Sequence, residues 1–539
     1  MRGWQPLLFL CLLGHASPSG DTFRIAGVVV RGDDGKPLSH VRVTILQNEH
    51  PERRAALVTA EDGRFLFTDV PAAKYTLAAA LHGQQATFEQ DGPYSTGIVA
   101  GPSSDSEHIV FRFPTFGRLA LKVSDEEDEP VQNVSAFLFH RTVLSGWRTA
   151  KPDAPVFTDS EGTVAFPPLE EGSYYVLATG RPWYAANEWN IHGVTAGENV
   201  LDVAYPATFY PASSDAQGAA PIVLRAGEKR QIQMTLRATP AARIALASSP
   251  DNSGATQISG VSIVGPGGAR VSLPTYMASM VDGETWLTGL APGHYILAAS
   301  HDSFPPGFAG SVVAATQPLG SLAITAGPGE TKVQLTNMVR TTVSGRISFA
   351  AGVQPVKALT LWLGQPRQGE YRASTLAADG TFRFVLDSSG PGEYDLRLPA
   401  TENLYPEAIT VQGGAYRSGL IDIRDNASVW ISMKLAAGLT HLDGVALRDG
   451  KPLAGAMILA VPQGGPSAFF PRDQSDSDGT FTLQGVAPGR YLLLAIDHGR
   501  NLAYHEPGVL EPYLKGAQMV SIPRPTKEPV IVSVQSRLP

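Results

Sequence analysis

Cysteine is all but absent. The 539-residue chain has one, Cys11, and it lies in the N-terminal apolar run. An exported chain that loses this run carries no disulfide and is held by its cores alone. Charged residues are also scarce, at 17% against about 25% in an ordinary soluble protein. Few Glu, Lys and Arg leave little to clothe helix surfaces, so long helices and coiled coils are excluded. No later run reaches the ~20 apolar residues of a membrane-spanning helix. With 42 basic against 50 acidic residues and a net charge of -8, nothing favours nucleic acid as a partner. Disorder is excluded too, because 43% apolar residues suffice for a core.

What the chain has in excess is turn residues. Gly 55 and Pro 42 together make about 18% of it, against roughly 12% ordinarily. The N-terminus, MRGWQPLLFLCLLGHASPSG, has a basic start, a seven-residue apolar run from Leu7 to Leu13 and small residues at Gly14-His15-Ala16. This is the pattern of a short signal peptide, over residues 1–20. A buried strand is the other reading of the run. Leu10 stands before Cys11, where a lipid-anchor signal wants a small residue.

A repeat dominates the rest. Gly63 opens GRFLFTDVPAAKYTLAA, and Gly162, Gly283, Gly380 and Gly479 open related segments, spaced 99, 121, 97 and 99 residues apart. A tyrosine follows 12 residues later at Tyr75, Tyr174, Tyr295 and Tyr491, and 14 later at Tyr394. Asp-Gly and Pro-Gly dipeptides mark turns, and Phe65, Phe67, Phe382 and Phe384 alternate with polar residues as in half-buried strands. The tyrosine is expected to bury its ring and tie its hydroxyl to turn backbone, by analogy with a tyrosine corner. Upstream halves contain Gly-Val, then Asp-Gly-Lys-Pro-Leu, then an alternating strand, best seen from Ile25 and from Leu442. About seven short strands per ~100 residues predict β-sandwiches.

These motifs resemble the carboxypeptidase regulatory-like domain, a transthyretin-like sandwich related in fold to collagen-adhesin B-type repeats. It is also grouped with carbohydrate-binding-like folds. The resemblance is strongest in the first and fifth copies and weakest in the third. It implies an all-β chain of five tandem transthyretin-like or immunoglobulin-like sandwiches. The expected units are residues 21–115, 116–238, 239–338, 339–437 and 438–539. It further implies an accessory, non-catalytic role, of the kind found in exported proteins of environmental bacteria, Acidobacteria among them. No catalytic peptidase domain accompanies the repeats.

The motifs of the chain are consistent with that role. No His-Glu-x-x-His, nucleophile elbow, P-loop or Rossmann fingerprint occurs. His50-Pro51-Glu52 and His505-Glu506 have the wrong spacing for zinc. No cofactor or metal is expected. Asp473, Asp476 and Asp478 resemble a calcium loop but lack its full spacing and its glutamate, so a hairpin turn is the simpler reading. The run Asp125-Glu126-Glu127-Asp128 reads as a solvated turn, and Arg31-Gly32-Asp33 as the start of a hairpin.

The stretch most like a ligand site is RPWYAANEWNIHG of the second copy, with Trp183, Tyr184, Trp189, Asn190 and His192. Exposed rings stack on sugar faces while Asn, Glu and His bind hydroxyls. Packing beneath a long loop is the alternative. A second insertion carries Tyr504, His505 and Tyr513. Short joins near Thr115 and Gly438 suggest a semi-rigid rod of sandwiches. The reading is an exported, monomeric scaffold of the cell envelope or extracellular space, with a polysaccharide or an envelope protein as partner. Carbohydrate binding by the second copy is its alternative.

Overall fold

The computed structural model describes residues 21–102, 104–185, 202–247, 256–274, 276–281, 284–303, 315–334, 341–386, 391–399, 402–424, 427–465, 469–515, 517–523 and 530–537. The chain is nearly all β, in repeated two-sheet sandwiches. No helix among the described residues is long and apolar enough to cross a membrane.

One topology recurs five times. The opening strand of each unit lies between an antiparallel and a parallel neighbour. In the first unit Thr22–Arg31 pairs antiparallel with Arg64–Pro71 and parallel with Ile109–Phe113. In the second, Arg118–Ser124 lies between Thr163–Ala165 and Lys229–Thr235. In the third, Ala242–Ala247 lies between Glu284–Leu290 and Gly329–Gln334. Thr341–Phe349 repeats this with Thr381–Leu386 and Ser428–Ala437. Thr440–Arg448 does so with Thr480–Val486 and Val530–Arg537. The second sheet of each unit carries the tyrosine strand, as in Ala73–Leu81 against Arg42–Gln47.

The repeated residues have specific structural work. Gly63, Gly162, Gly380 and Gly479 all hold positive φ, between 70° and 81°, where a side chain is strained. Their carbonyls each accept the N–H of the opening strand, from Val29, Val123, Ile347 and Ala446, all at 2.8 Å. The tyrosine corner forms as expected. Tyr75, Tyr174, Tyr295 and Tyr491 donate to the carbonyls of Pro71, Glu170, Ala291 and Ala487 at 3.0, 2.7, 2.5 and 2.8 Å. Each reaches back four residues, so the ring fills the core while its hydroxyl is satisfied. Tyr394 is buried at the same place in the fourth unit.

A further element escaped the sequence reading. Thr59, Thr158 and Ser475 stand four residues before their turn glycines. Thr59 accepts from Val41 N–H and donates to Leu38 C=O. Thr158 does the same with Val134 and Val131, and Ser475 with Ala456 and Leu453. Each buried hydroxyl thus clamps the loop that leads into the second sheet. The signal was there as a Ser or Thr at fixed distance from the glycine.

The units do not form a rod. Phe137, Phe139, Leu177 and Phe209 of the second unit share one core with Ile244, Val261, Leu287 and Leu297 of the third. The first and fifth units, at opposite ends of the chain, are hydrogen-bonded to each other, for example from Gly97 N–H to Asp476. Apolar sheet faces and polar loop ends were available for side-to-side packing, and the short joins did not prevent it.

Candidate functional site

The aromatic stretch of the second unit begins in a turn after the tyrosine strand Gly172–Thr179. Ala185 N–H bonds Pro182 C=O at 3.0 Å, and the Arg181 guanidinium donates to Ala185 C=O at 2.9 Å. This turn lifts Trp183 into solvent, 89% exposed. The Tyr184 ring stands nearly perpendicular to it, with centroids 5.7 Å apart. Burial pushes the Tyr184 hydroxyl above its ordinary value, and the acidic loop of Glu126, Asp125 and Glu127 adds to the rise. At neutral pH this phenol is a donor. Trp189, Asn190 and His192 lie outside the described residues. Tyr205 belongs to the core of the second unit and Phe209 to the core shared with the third. The structure therefore places two of the five predicted residues, Trp183 and Tyr184, side by side.

The insertion of the fifth unit turned inward. Tyr504, Leu510 and Tyr513 cover Met457, Leu459, Leu494 and Ile496 on the outer face of that unit's second sheet. His505 stacks on Trp147 of the second unit, with centroids 4.7 Å apart and planes 10° apart. Phe470 and Tyr504 flank it at 4.5 and 4.7 Å. The Arg367 guanidinium of the fourth unit lies 4.7 Å from the Trp147 ring centre and forks onto the Glu506 carboxylate. Three units therefore meet on two adjacent residues. Burial drives the His505 pKa down to about 4, and the positive charges of Arg397 and Arg367 push the same way. At neutral pH His505 is uncharged and sandwiched, a packing element rather than a proton carrier.

A second junction closes the first unit on the fifth. Buried Arg472 meets the Asp91 carboxylate, with the Tyr94 ring 4.9 Å away. The Gln474 amide donates to Glu89 C=O at 2.5 Å and to Thr96 Oγ1 at 2.8 Å. Asp476 accepts from Gly97 N–H at 3.0 Å and pairs with Lys74 Nζ at 2.6 Å. Ser477 completes it, donating its N–H to Gly97 C=O and accepting Val99 N–H on its hydroxyl, both at 2.9 Å. Burial lifts Asp476 to about 6, more than Lys74 holds it down. Asp473 accepts from Thr482 N–H, and Asp478 from Thr480. The three acids that resembled a calcium loop are thus engaged in turn and junction hydrogen bonds. Among the described residues no three His, Cys, Asp or Glu converge on a metal-sized site.

The other motifs resolve locally. Asp125 accepts from the N–H groups of Glu127 and Glu129, a closed turn. Arg31 and Lys36 both pair with Asp34 in the hairpin that follows the opening strand.

No curated protein matches the chain. Solved structures with local similarity include the minor pilin GBS52 of Streptococcus agalactiae. It is 13% identical, with 40% of this chain and 97% of that one covered and a TM-score of 0.22. The shaft pilin SpaA of Lactobacillus rhamnosus GG is 12% identical over 41% and 98%, with a TM-score of 0.19. The TIE protein of Bacillus anthracis is 11% identical over 78% and 76%, with a TM-score of 0.18. The match in family is confined to the first unit: a carboxypeptidase regulatory-like domain is found at residues 24–95.

Proposed function

We propose that the chain is a non-catalytic, exported binding scaffold. Its five sandwiches, with joins near residues 115, 238, 338 and 437, are clamped into one platform that presents loops and sheet faces to an envelope component or a polymer. The observation that carries this reading is the fate of the reactive side chains. His505, Glu506, Arg367, Arg472 and Asp476 are spent between units, which leaves them rigidifying the assembly instead of lining a cleft. Fixed spacing between loops lowers the ordering cost of binding a large partner at several points.

A second reading has its own support. Trp183, nearly fully exposed beside the Tyr184 donor, suits stacking against a neutral glycan. Both are tested on residues 21–539, passed over insoluble polysaccharides and envelope extract, with a hydrolase panel alongside. Retention without turnover supports the scaffold, and release of product from any substrate overturns it. Loss of retention on a neutral glycan in Trp183→Ala, with unchanged melting, selects the second reading.

A further inference from the structure

The fourth unit departs from the others on one face. Its opening sheet is widened by Leu404–Gln412, which pairs with Ser428–Ala437 and makes a four-stranded surface. From Ser428 to Leu435 the buried residues are Val429, Ile431, Met433 and Leu435, so Ser428, Trp430, Ser432 and Lys434 face outward. Trp430 is 40% exposed. Its indole N–H donates to Ser432 Oγ at 3.2 Å, which holds the ring along its own strand.

The pairing register gives the surroundings. One row across the sheet reads Arg383, Ser344, Trp430, Gln412, and the next reads Thr381, Arg346, Ser432, Thr410. With strands ~4.8 Å apart, each row spans about 14 Å. Trp430 is the one aromatic residue in these rows. Arg346 and Arg383 are exposed and form no ion pair among the described residues, while Lys434 is tied to Glu407 at 2.8 Å. Asp379, at the turn beside Arg346, is occupied by the Thr381 N–H and hydroxyl. In the second unit the matching outward positions are Gln231 and Gln233, and in the third Glu330 and Lys332. Both guanidiniums lie on the two strands to one side of the ring, with Gln412 and Thr410 on the other, and a stacking ring so flanked is particular to the fourth unit among these.

We propose that this face binds an acidic polysaccharide. A sugar ring lies on the Trp430 indole, the hydroxyls of Ser344, Thr410 and Ser432 and the Gln412 amide meet sugar hydroxyls, and Arg346 and Arg383 take the uronate carboxylates. Charge complementarity selects the occupant: the free cations of the face are guanidinium forks, whose geometry matches carboxylate. A protein partner fits less well, because hot-spot tryptophans sit among desolvated apolar neighbours and those of Trp430 are polar. This site is separate from Trp183 and stands whether or not the second unit binds a glycan.

The test is affinity electrophoresis and titration of residues 21–539 with polygalacturonate and alginate, against neutral dextran and soluble starch. Expected are binding of the acidic polymers only, loss of it at high salt, and weakening by about tenfold in Trp430→Ala, the loss of one stacking contact. Arg346→Gln with Arg383→Gln should weaken binding and remove the salt dependence, and Trp430→Phe should restore most of the affinity. Melting curves establish that each variant folds. Equal binding of neutral polymers, acidic binding indifferent to Trp430→Ala, or acidic binding abolished by Trp183→Ala instead would each overturn the proposal.

Discussion

The first and fifth units carry the same motif and end in different environments. Both contain Asp-Gly-Lys-Pro-Leu, a positive-φ turn glycine, a buried hydroxyl clamp and a tyrosine corner. Their inner faces are built alike, from Val43 and Ile45 in one and Ile458 and Ala460 in the other. Their outer faces differ. In the first unit Arg42, Thr44 and Leu46 stay exposed or half-buried. In the fifth, Met457 and Leu459 are buried under the segment that carries Tyr504, Leu510 and Tyr513. The shared motif specifies a sandwich. The residues that alternate with it specify what the sandwich leans on.

The largest effect should come from placing a charge on the two outer faces. Leu459→Asp puts a carboxylate where no solvent reaches and should cost at least ~4 kcal/mol, releasing the insertion. Thr44→Asp, on the open face of the first unit, should cost about 1 kcal/mol or less. Urea unfolding of both variants checks this, and equal losses would mean the faces are not different.

An intermediate effect concerns the junctions and pH. The folded pKa of His505 is lowered from 6.5 to about 4, so its contribution is full above 6.5 and is lost as pH falls towards 4. Asp476 is raised from 3.8 to about 6, so its contribution is full below 3.8 and is lost as pH rises through 6. The two slopes oppose one another between pH 4 and 6, each by up to about 1.4 kcal/mol per pH unit. Asp476→Asn should therefore make stability climb more steeply with pH in that window than in the parent. His505→Phe should make it climb less. Melting temperatures at half-unit pH steps measure both, and parallel curves for all three proteins would remove these groups from the linkage.

The smallest effect should be the same in both units. Tyr75→Phe and Tyr491→Phe each remove one hydroxyl bond to a turn carbonyl and should cost about 1 kcal/mol. A loss confined to one unit, seen by hydrogen exchange of its tyrosine strand, would break the equivalence of the corners.

How far the sequence could be read follows the same division. The alternation of Phe65 and Phe67, the turn glycines and the tyrosine hydroxyls were legible, because each acts within a few residues of itself. The hydroxyl clamps of Thr59, Thr158 and Ser475 leave a signal, a Ser or Thr four residues before the turn glycine, but its partners lie in another loop. Of the aromatic loop, Trp183 is exposed and Tyr184 is half-buried beside it. Side-to-side packing in place of the expected rod has two signals in the sequence: the apolar runs AFLF, from Ala136, and MILA, from Met457. Such runs belong to strands covered on both faces.

By itself the sequence determined the all-β class, the five-fold recurrence and the inner cores. Turn chemistry and period-two alternation are local and act before any distant contact forms. Only the tertiary structure decided that Trp147 would stack on His505, that Arg367 would reach Glu506, and that Asp476 would close on Lys74 and Gly97 of the first unit. These partners lie between about 140 and 400 residues apart in the chain, a separation across which no local pattern carries information. Which polar side chain becomes a free ligand-binding group and which becomes a clasp between units is settled by what the neighbouring sandwich covers.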